Sequence, residues 1–253
     1  MFIAHAPKNV TTRIFCTMLI VLPVALLLLA SPLSGQQKNV TRFDVYGGYA
    51  FLNSPKVNLF ENGFAFQIGV RPTTWLSLGF DYNVAAGDLK ITPNQLLPAL
   101  QTTLQTKIGQ AIAAGLFPPP SAYDYGALSV PAHSKTQTFA AGPELVYRHF
   151  SKATIFVRPL YAGIIHETAT PKPQDPVVKA LVAGLITGPN KTDNVFFYGF
   201  GGGFDILFTN HFAWRTQADL VRDHLFDDLL KDARWTVRFS TGPAFNFGKN
   251  IVK

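Results

Sequence analysis

The sequence predicts an all-β protein: an eight-stranded antiparallel up-and-down transmembrane β-barrel with short helices in two external loops. Three observations lead there. Large apolar residues alternate with small or polar ones, at a period of two, in eight separate segments. The face opposite the large residues is small rather than strongly charged, and the links between segments alternate between short and long. Composition fits: only 15% of the 253 residues are charged and 22 are Phe, which excludes disorder. A lone Cys excludes a disulfide scaffold. The net charge of +7 contains no run of Lys and Arg, so no nucleic-acid footprint is present.

The first element, residues 1–35, reads as a secretory signal. Lys8 and Arg13 flank an apolar run, Ile14 to Leu33, which gives way to small residues and the pair Gln36-Gln37. Cleavage is expected after Gly35, with Ser31 the next choice. A retained helical anchor is the alternative, since about 17 to 20 apolar residues could just span a bilayer. Cys16 lies inside the apolar run, so this is no lipoprotein signal, and the mature domain 36–253 has no Cys. No second apolar run long enough for a helical span follows.

The last segment, 234–247, shows the two-sided pattern most clearly. Trp235, Val237, Phe239, Thr241, Pro243, Phe245 and Phe247 share one face; Thr236, Arg238, Ser240, Gly242, Ala244 and Asn246 share the other. The same split marks 42–52, 64–72, 75–85, 135–149, 195–208 and 211–223. Segment 153–167 is the least regular. Its expected faces are Ile155, Val157, Tyr161 and Ile165 outward, with Phe156, Arg158, Leu160, Ala162 and Ile164 inward. A soluble sandwich also alternates, but its outer face meets water and is rich in Lys, Glu and Thr. Here that face is Gly, Ala, Ser and Thr with a few Asp, Glu and Arg, which suits a narrow lumen, while Phe, Tyr, Leu and Val suit a lipid-facing wall.

The short links are Pro72-Thr73-Thr74, Phe150-Ser151-Lys152 and Thr209-Asn210; the long ones are 53–63, 86–133, 168–194 and 224–232. Short periplasmic turns and long external loops are the habit of outer-membrane barrels, and an even strand number puts both mature termini in the periplasm. Loop 86–133 carries Leu96, Leu97, Leu100, Leu104, Ile108 and Ile112 at helical spacing, ended by Gly115 and Pro118-Pro119-Pro120. Loop 168–194 carries Pro176, Val177, Val178, Leu181, Leu185 and Ile186 before Gly188-Pro189. These helices either pack on each other and on the barrel rim, or cap the mouth, or lie in the outer leaflet.

On the residues Phe64–Tyr82 and Tyr198–Asp223, the chain resembles the small eight-stranded outer-membrane β-barrels of the OmpA, OmpX and OmpW type. A Gly-rich strand, an Asp, a short turn and an Arg-bearing return strand carry the likeness. The resemblance implies residence in the bacterial outer membrane, contact with its lipid, and insertion by the barrel assembly machinery. That group usually ends on an aromatic residue, whereas this chain continues six residues past Phe247.

Chemistry-bearing residues are sparse. His5 falls in the signal, His149 and His211 at short turns, and His133 at the end of a long loop. His166-Glu167, and His224 with Asp227 and Asp228, are expected near the external rim. No local Ser-His-acid set, H-x-H, C-x-x-C or acidic calcium loop occurs, so neither an enzyme nor a metal or cofactor is expected. The lumen face instead collects five acids, Asp44, Asp81, Glu144, Asp205 and Asp219, and five arginines, Arg71, Arg148, Arg158, Arg215 and Arg238. A narrow, dry lumen tolerates charges only when paired, so these predict a structural polar network. Counting back from the turn at Ser151 sets Arg148 opposite Thr154, Val146 opposite Phe156 and Glu144 opposite Arg158. The function expected is a non-enzymatic barrel, structural or surface-binding, with a closed polar lumen and an unknown external ligand. Two alternatives are a transporter of small hydrophobic molecules with loop helices capping the mouth, and a rim enzyme acting on lipid or peptide.

Overall fold

The computed structural model describes residues 37–184 and 188–252. The signal, its cleavage position, Cys16, Leu185 and Ile186 lie outside them. Eight strands close into one antiparallel barrel: β1 (Thr41–Ser54), β2 (Leu59–Val70), β3 (Leu76–Ile91), β4 (Val130–Tyr147), β5 (Ala153–Pro171), β6 (Lys191–Leu207), β7 (Phe212–Asp223) and β8 (Arg234–Asn250). Each pairs with its neighbour in sequence, and β1 meets β8 through pairs such as Tyr46 with Ala244 and Phe51 with Phe239. Closure leaves no free edge, which satisfies every ladder in an environment without water.

The outward face is apolar over a limited height. Phe80, Leu78, Phe64, Ile68, Val157, Phe196, Phe200 and Phe245 are all exposed there. At the short-turn end the belt finishes in Phe43, Phe208, Phe212, Phe245 and Phe247, several of them in ring contact. At the opposite end stand Tyr49, Phe60, Tyr82, Phe139 and Trp235. On β3 the belt runs from Leu76 to Val84, roughly the nine or so residues a tilted strand needs to cross hydrocarbon.

Beyond the belt the strands continue, which corrects the expected loop bounds. Links 53–63, 86–133 and 168–194 shrink to 55–58, 92–129 and 172–190, while 224–232 becomes 224–233. The reason lies in the outward residues: past Val84 and Ile164 they become Asp88, Lys90, Lys135, His166 and Thr168, while Leu89, Ser134, Glu167 and Ala169 continue the buried face. The first external link is a single 3-10 turn, Pro55–Val57, closed by Asn58 in the left-handed region.

A second correction concerns β5. Tyr161 and Ile165 are each 1% exposed, whereas Leu160 is 55% and Ile164 56%, so the faces exchange after Arg158 and Ala162 joins the wall. Register shifts sit at Arg158/Tyr161 against β6 and at Ala141/Leu145 against β4. Pro159 and Pro143 fall within these irregular stretches and have no N–H for a ladder, so the strand bulges and its parity inverts.

The two longest links form one external unit. Helix α1 (Pro98–Ala113) ends at Gly115, whose φ of 71° is the left-handed value that glycine adopts without a Cβ penalty. Helix α2 (Pro176–Ala183) is capped by Asp175, whose carboxylate accepts from the amides of Val177 and Val178. Leu104, Leu128, Val177, Val178 and Leu181 bury together between them. The helices therefore pack on each other, and Lys107 donates to the Gly184 carbonyl to tie them.

Phe80→Arg places a charge on the belt and should cost about 2–4 kcal/mol if it lies near mid-bilayer. Normal insertion yield and unchanged unfolding in lipid vesicles would show that Phe80 does not face lipid. The Val178 amide, and secondarily the Tyr123 hydroxyl and Val177 amide, hold the Asp175 carboxyl below its ordinary range. A carboxyl depressed on folding stabilises above its unfolded pKa near about 4, and that contribution disappears as pH falls through the lower folded value. Amide exchange at Val178 should accelerate on acidification, and Asp175→Asn should flatten the dependence.

Candidate functional site

The barrel places its chemistry in the lumen. Residues on alternate positions point inward, and eight strands leave an interior only wide enough for side chains. Nearest the short turns, Asp44 on β1 faces Arg71 just past β2 and Arg215 on β7, with nitrogen–oxygen separations of 3.0 and 3.1 Å. Asp44 is fully buried between these two guanidinium groups. Arg215 also forms a two-pronged pair with Asp205, Nε donating at 2.7 Å and Nη2 at 2.9 Å.

One layer further in, Arg158 gathers three acids: Glu144 at 3.0 Å, Asp219 at 3.2 Å and Asp81 at 3.4 Å. Gln67 joins the two layers. Its Oε1 accepts from Arg158 at 3.0 Å and Arg215 at 3.1 Å, and its Nε2 donates to Glu144 at 2.5 Å. The guanidinium groups alternate with rings. Arg215 lies 5.1 Å from the Phe156 ring and Arg158 lies 5.5 Å from the same ring; Arg158 and Arg238 lie 5.2 and 5.3 Å from Tyr161. Tyr46 near Arg215 and Phe197 near Arg238 extend this column at either end. Small residues make the room: a Cβ on Gly69 would lie 2.2 Å from Asp44 Oδ1, and one on Gly201 would lie 2.1 Å from Asp219 Oδ1.

Eight of the ten expected lumen residues thus meet in ion pairs, Asp44, Arg71, Asp81, Glu144, Arg158, Asp205, Arg215 and Asp219. The other two are held differently. Arg238 donates to the Tyr161 hydroxyl at 2.7 Å and to Thr138 at 3.0 Å. Arg148, only half-buried, donates to the Thr74 carbonyl at 2.9 Å, Gln37 at 3.2 Å and Thr154 at 3.3 Å. Gln37 is itself buried across the turn-end mouth, where its amide nitrogen donates to Thr154 and to the carbonyls of Ala153 and Phe150. The β4–β5 register sets Val146 against Phe156 and Leu145 against Val157.

The lumen is layered rather than polar throughout. Above Arg238 an apolar tier of Ala140, Ile165, Phe197 and Val221 intervenes, capped by Leu225, Phe226 and Leu230 from 224–233, which fold into the mouth. Beside it lies a second charged group: Arg234 donates to Asp223 at 2.7 Å and also to Glu167, while Thr136 donates to Glu61 at 2.9 Å. The expected lumen set omitted Glu61, Glu167, Asp223 and Arg234, with Glu167 placed instead beside His166 near the external rim. Glu61 shares parity with Ala65 and Gln67 and was legible, although it fell in a segment read as a loop. Glu167 was hidden by the parity change in β5. His166 and Glu167 lie on opposite faces of the wall, His166 outside against Asn194 at 2.5 Å and Glu167 buried inside.

Outside the lumen, the external unit lines a partly open apolar cavity of about 120 Å³ between α1, α2, the tips of β3 and β4, and Leu229. Tyr123 covers one side of the unit near Asp175, where desolvation and that carboxylate push its hydroxyl up to about 12.

No family model matches the chain, and no curated protein matches it. Solved structures do. The outer membrane protein OprG from Pseudomonas aeruginosa aligns over 85% of this chain and 99% of its own, with 8% identity and a TM-score of 0.50. The chain has the fold of the small eight-stranded outer-membrane barrels. Neisserial surface protein A aligns over 81% of this chain and 96% of its own, at 11% identity and a TM-score of 0.46. Ail, the attachment invasion locus protein of Yersinia pestis, aligns over 82% and 99%, at 12% identity and a TM-score of 0.45. At such identities the shared property is the fold.

Arg158 generates a further prediction. Arg158→Leu strands three buried acids at once and should cost about 3–5 kcal/mol or more, the usual loss when one member of a buried pair is removed. Glu144→Leu leaves Arg158 two partners and should cost less. The double variant should recover little, because Asp81 and Asp219 stay uncompensated. Denaturant unfolding of the four proteins decides it, and full recovery in the double variant would show that Glu144 is the sole effective partner.

Proposed function

We propose that this chain is a bacterial outer-membrane protein without enzymatic activity, in which a closed barrel anchors a folded external unit that serves a structural or surface-binding role. The column of guanidinium groups and rings from Tyr46 to Phe197 carries the reading. It fills the cross-section at the level of Arg158, with the apolar tier and the inward-folded 224–233 link above it. A transporter would have to carry its cargo past buried ion pairs whose disruption is costly. A rim enzyme built on His166 and Glu167 would need them on one face, and the wall separates them.

The belt height, the aromatic residues at its margins and the absence of a free edge support residence in a membrane. In this reading residues 1–35 direct export, the barrel assembly machinery inserts the chain, and the belt contacts outer-membrane lipid. Gln37 and Ile251 leave the barrel at the end with the short turns, which supports periplasmic termini. The purified protein in planar bilayers should give no steady conductance. Reproducible channels of constant size would overturn the closed barrel, and recovery of the protein in the soluble fraction, without a heat-dependent gel shift, would overturn the location.

A further inference from the structure

We propose that the external unit holds a preformed binding site for a small, free apolar molecule of about the size of a benzene ring. The site is the cavity of about 120 Å³ whose wall includes Leu96, Leu104, Val130, Val178, Leu181 and Leu229. Thr92 and Ser129 are the polar side chains of that wall, and the Thr92 hydroxyl is already bonded to Asn94. Such a wall offers water almost none of the two to four polar partners it needs, and apolar cavities of roughly 150 Å³ accept benzene or xenon. An unfilled space of this size leaves its lining short of contacts, so an apolar guest that fills it restores them.

The walls come from four separated pieces of chain, each fixed independently of any guest. The tips of β3 and β4 are paired through Ile91 and Val130. Helix α2 is capped by Asp175, α1 is tied to the end of α2 by Lys107, and the 224–233 link is joined to the unit through the Leu96–Leu230 bridge and the bond from the Leu97 amide to the Leu229 carbonyl. Such a site requires no closure step before it binds.

An apolar guest could come from solution or from the chain end of a lipid, and the geometry favours solution. Ile91 lies seven residues beyond Val84, the last belt residue on β3, a path of about 23 Å along a strand at roughly 3.3 Å per residue. Asp88 and Lys90 are exposed on the outer face in between. A lipid chain terminus lies at the bilayer centre, on the far side of that polar band.

The test uses the full mature chain in lipid nanodiscs with labelled Leu and Val methyl groups, titrated with xenon and then with benzene. Saturable shifts are expected at Leu104, Val178 and Leu181 and not at the lumen residues Leu52 and Val221. Leu181→Phe, which fills the space, should reduce the saturable response at least tenfold while leaving the heat-dependent gel shift in place. Should that variant misfold, Val182→Phe serves the same purpose, and the xenon titration of the unaltered protein stands without either. An absent or non-saturable response at the cavity methyls overturns the site, as does an undiminished response in a folded filled variant. Relaxation enhancement of the Val178 methyls by a lipid spin-labelled at its chain end would overturn the free-molecule assignment.

Discussion

The architecture depends on keeping guanidinium groups neutralised in a space with almost no water. Arg158 surrounded by Glu144, Asp219 and Asp81 is over-compensated by itself, and balance is reached only over the whole lumen set: Gln67 links Arg158 to Arg215, Arg71 lies beside Asp44, and with Arg148 and Arg238 five arginines face the five acids. The rings of Phe156 and Tyr161 separate the positive groups and present their electron-rich faces to them, which eases like-charge contact along the column. Strand choices answer to this arrangement. Gly69 and Gly201 stand where any Cβ would displace a carboxylate, so the small face of the alternation is the space that the charges occupy.

The same alternation separates two solvents. Outward Phe80, Phe200 and Phe245 face an apolar medium, and inward Asp81, Gly201 and Ala244 face the network, one residue away in each strand. Above the belt the outer face becomes polar while the inner face stays buried, so the strands outlast the membrane. They raise the α1–α2 unit clear of the surface, where its apolar core must be satisfied by its own side chains. Leu104, Leu128 and Leu181 do so incompletely, which is why a cavity remains.

Much of this was legible in the sequence because the period-two code is local. Phe80 against Asp81, or Phe204 against Asp205, declares its face without reference to any other strand. The code failed where covalent geometry intervened. Pro159 shifts the parity of β5, and nothing in the order of side chains distinguishes Tyr161 as a ring beneath two guanidinium groups from a wall residue. It also failed where the outer medium changed: Glu61 was read as loop because the apolar criterion for a strand stops at the membrane surface. The inward fold of Leu225, Phe226 and Leu230, and the seat of Gln37 under Arg148, are tertiary choices with no periodic signature.

The seam between β1 and β8 joins residues about as far apart as the described residues allow, Thr41 with Asn250 and Tyr46 with Ala244. Contacts of such long sequence separation form late, because loop-closure entropy must be overcome before they reward it. Until that seam forms, one flank of the column lies open, and Asp44, Arg238 and Asp219 would meet hydrocarbon if the sheet were already in the bilayer. An open intermediate embedded in lipid would carry the cost of the charges it exposes. Closing the β1–β8 seam as the sheet enters the bilayer avoids that exposure, so the charged interior favours pairing of the last strand before burial in lipid.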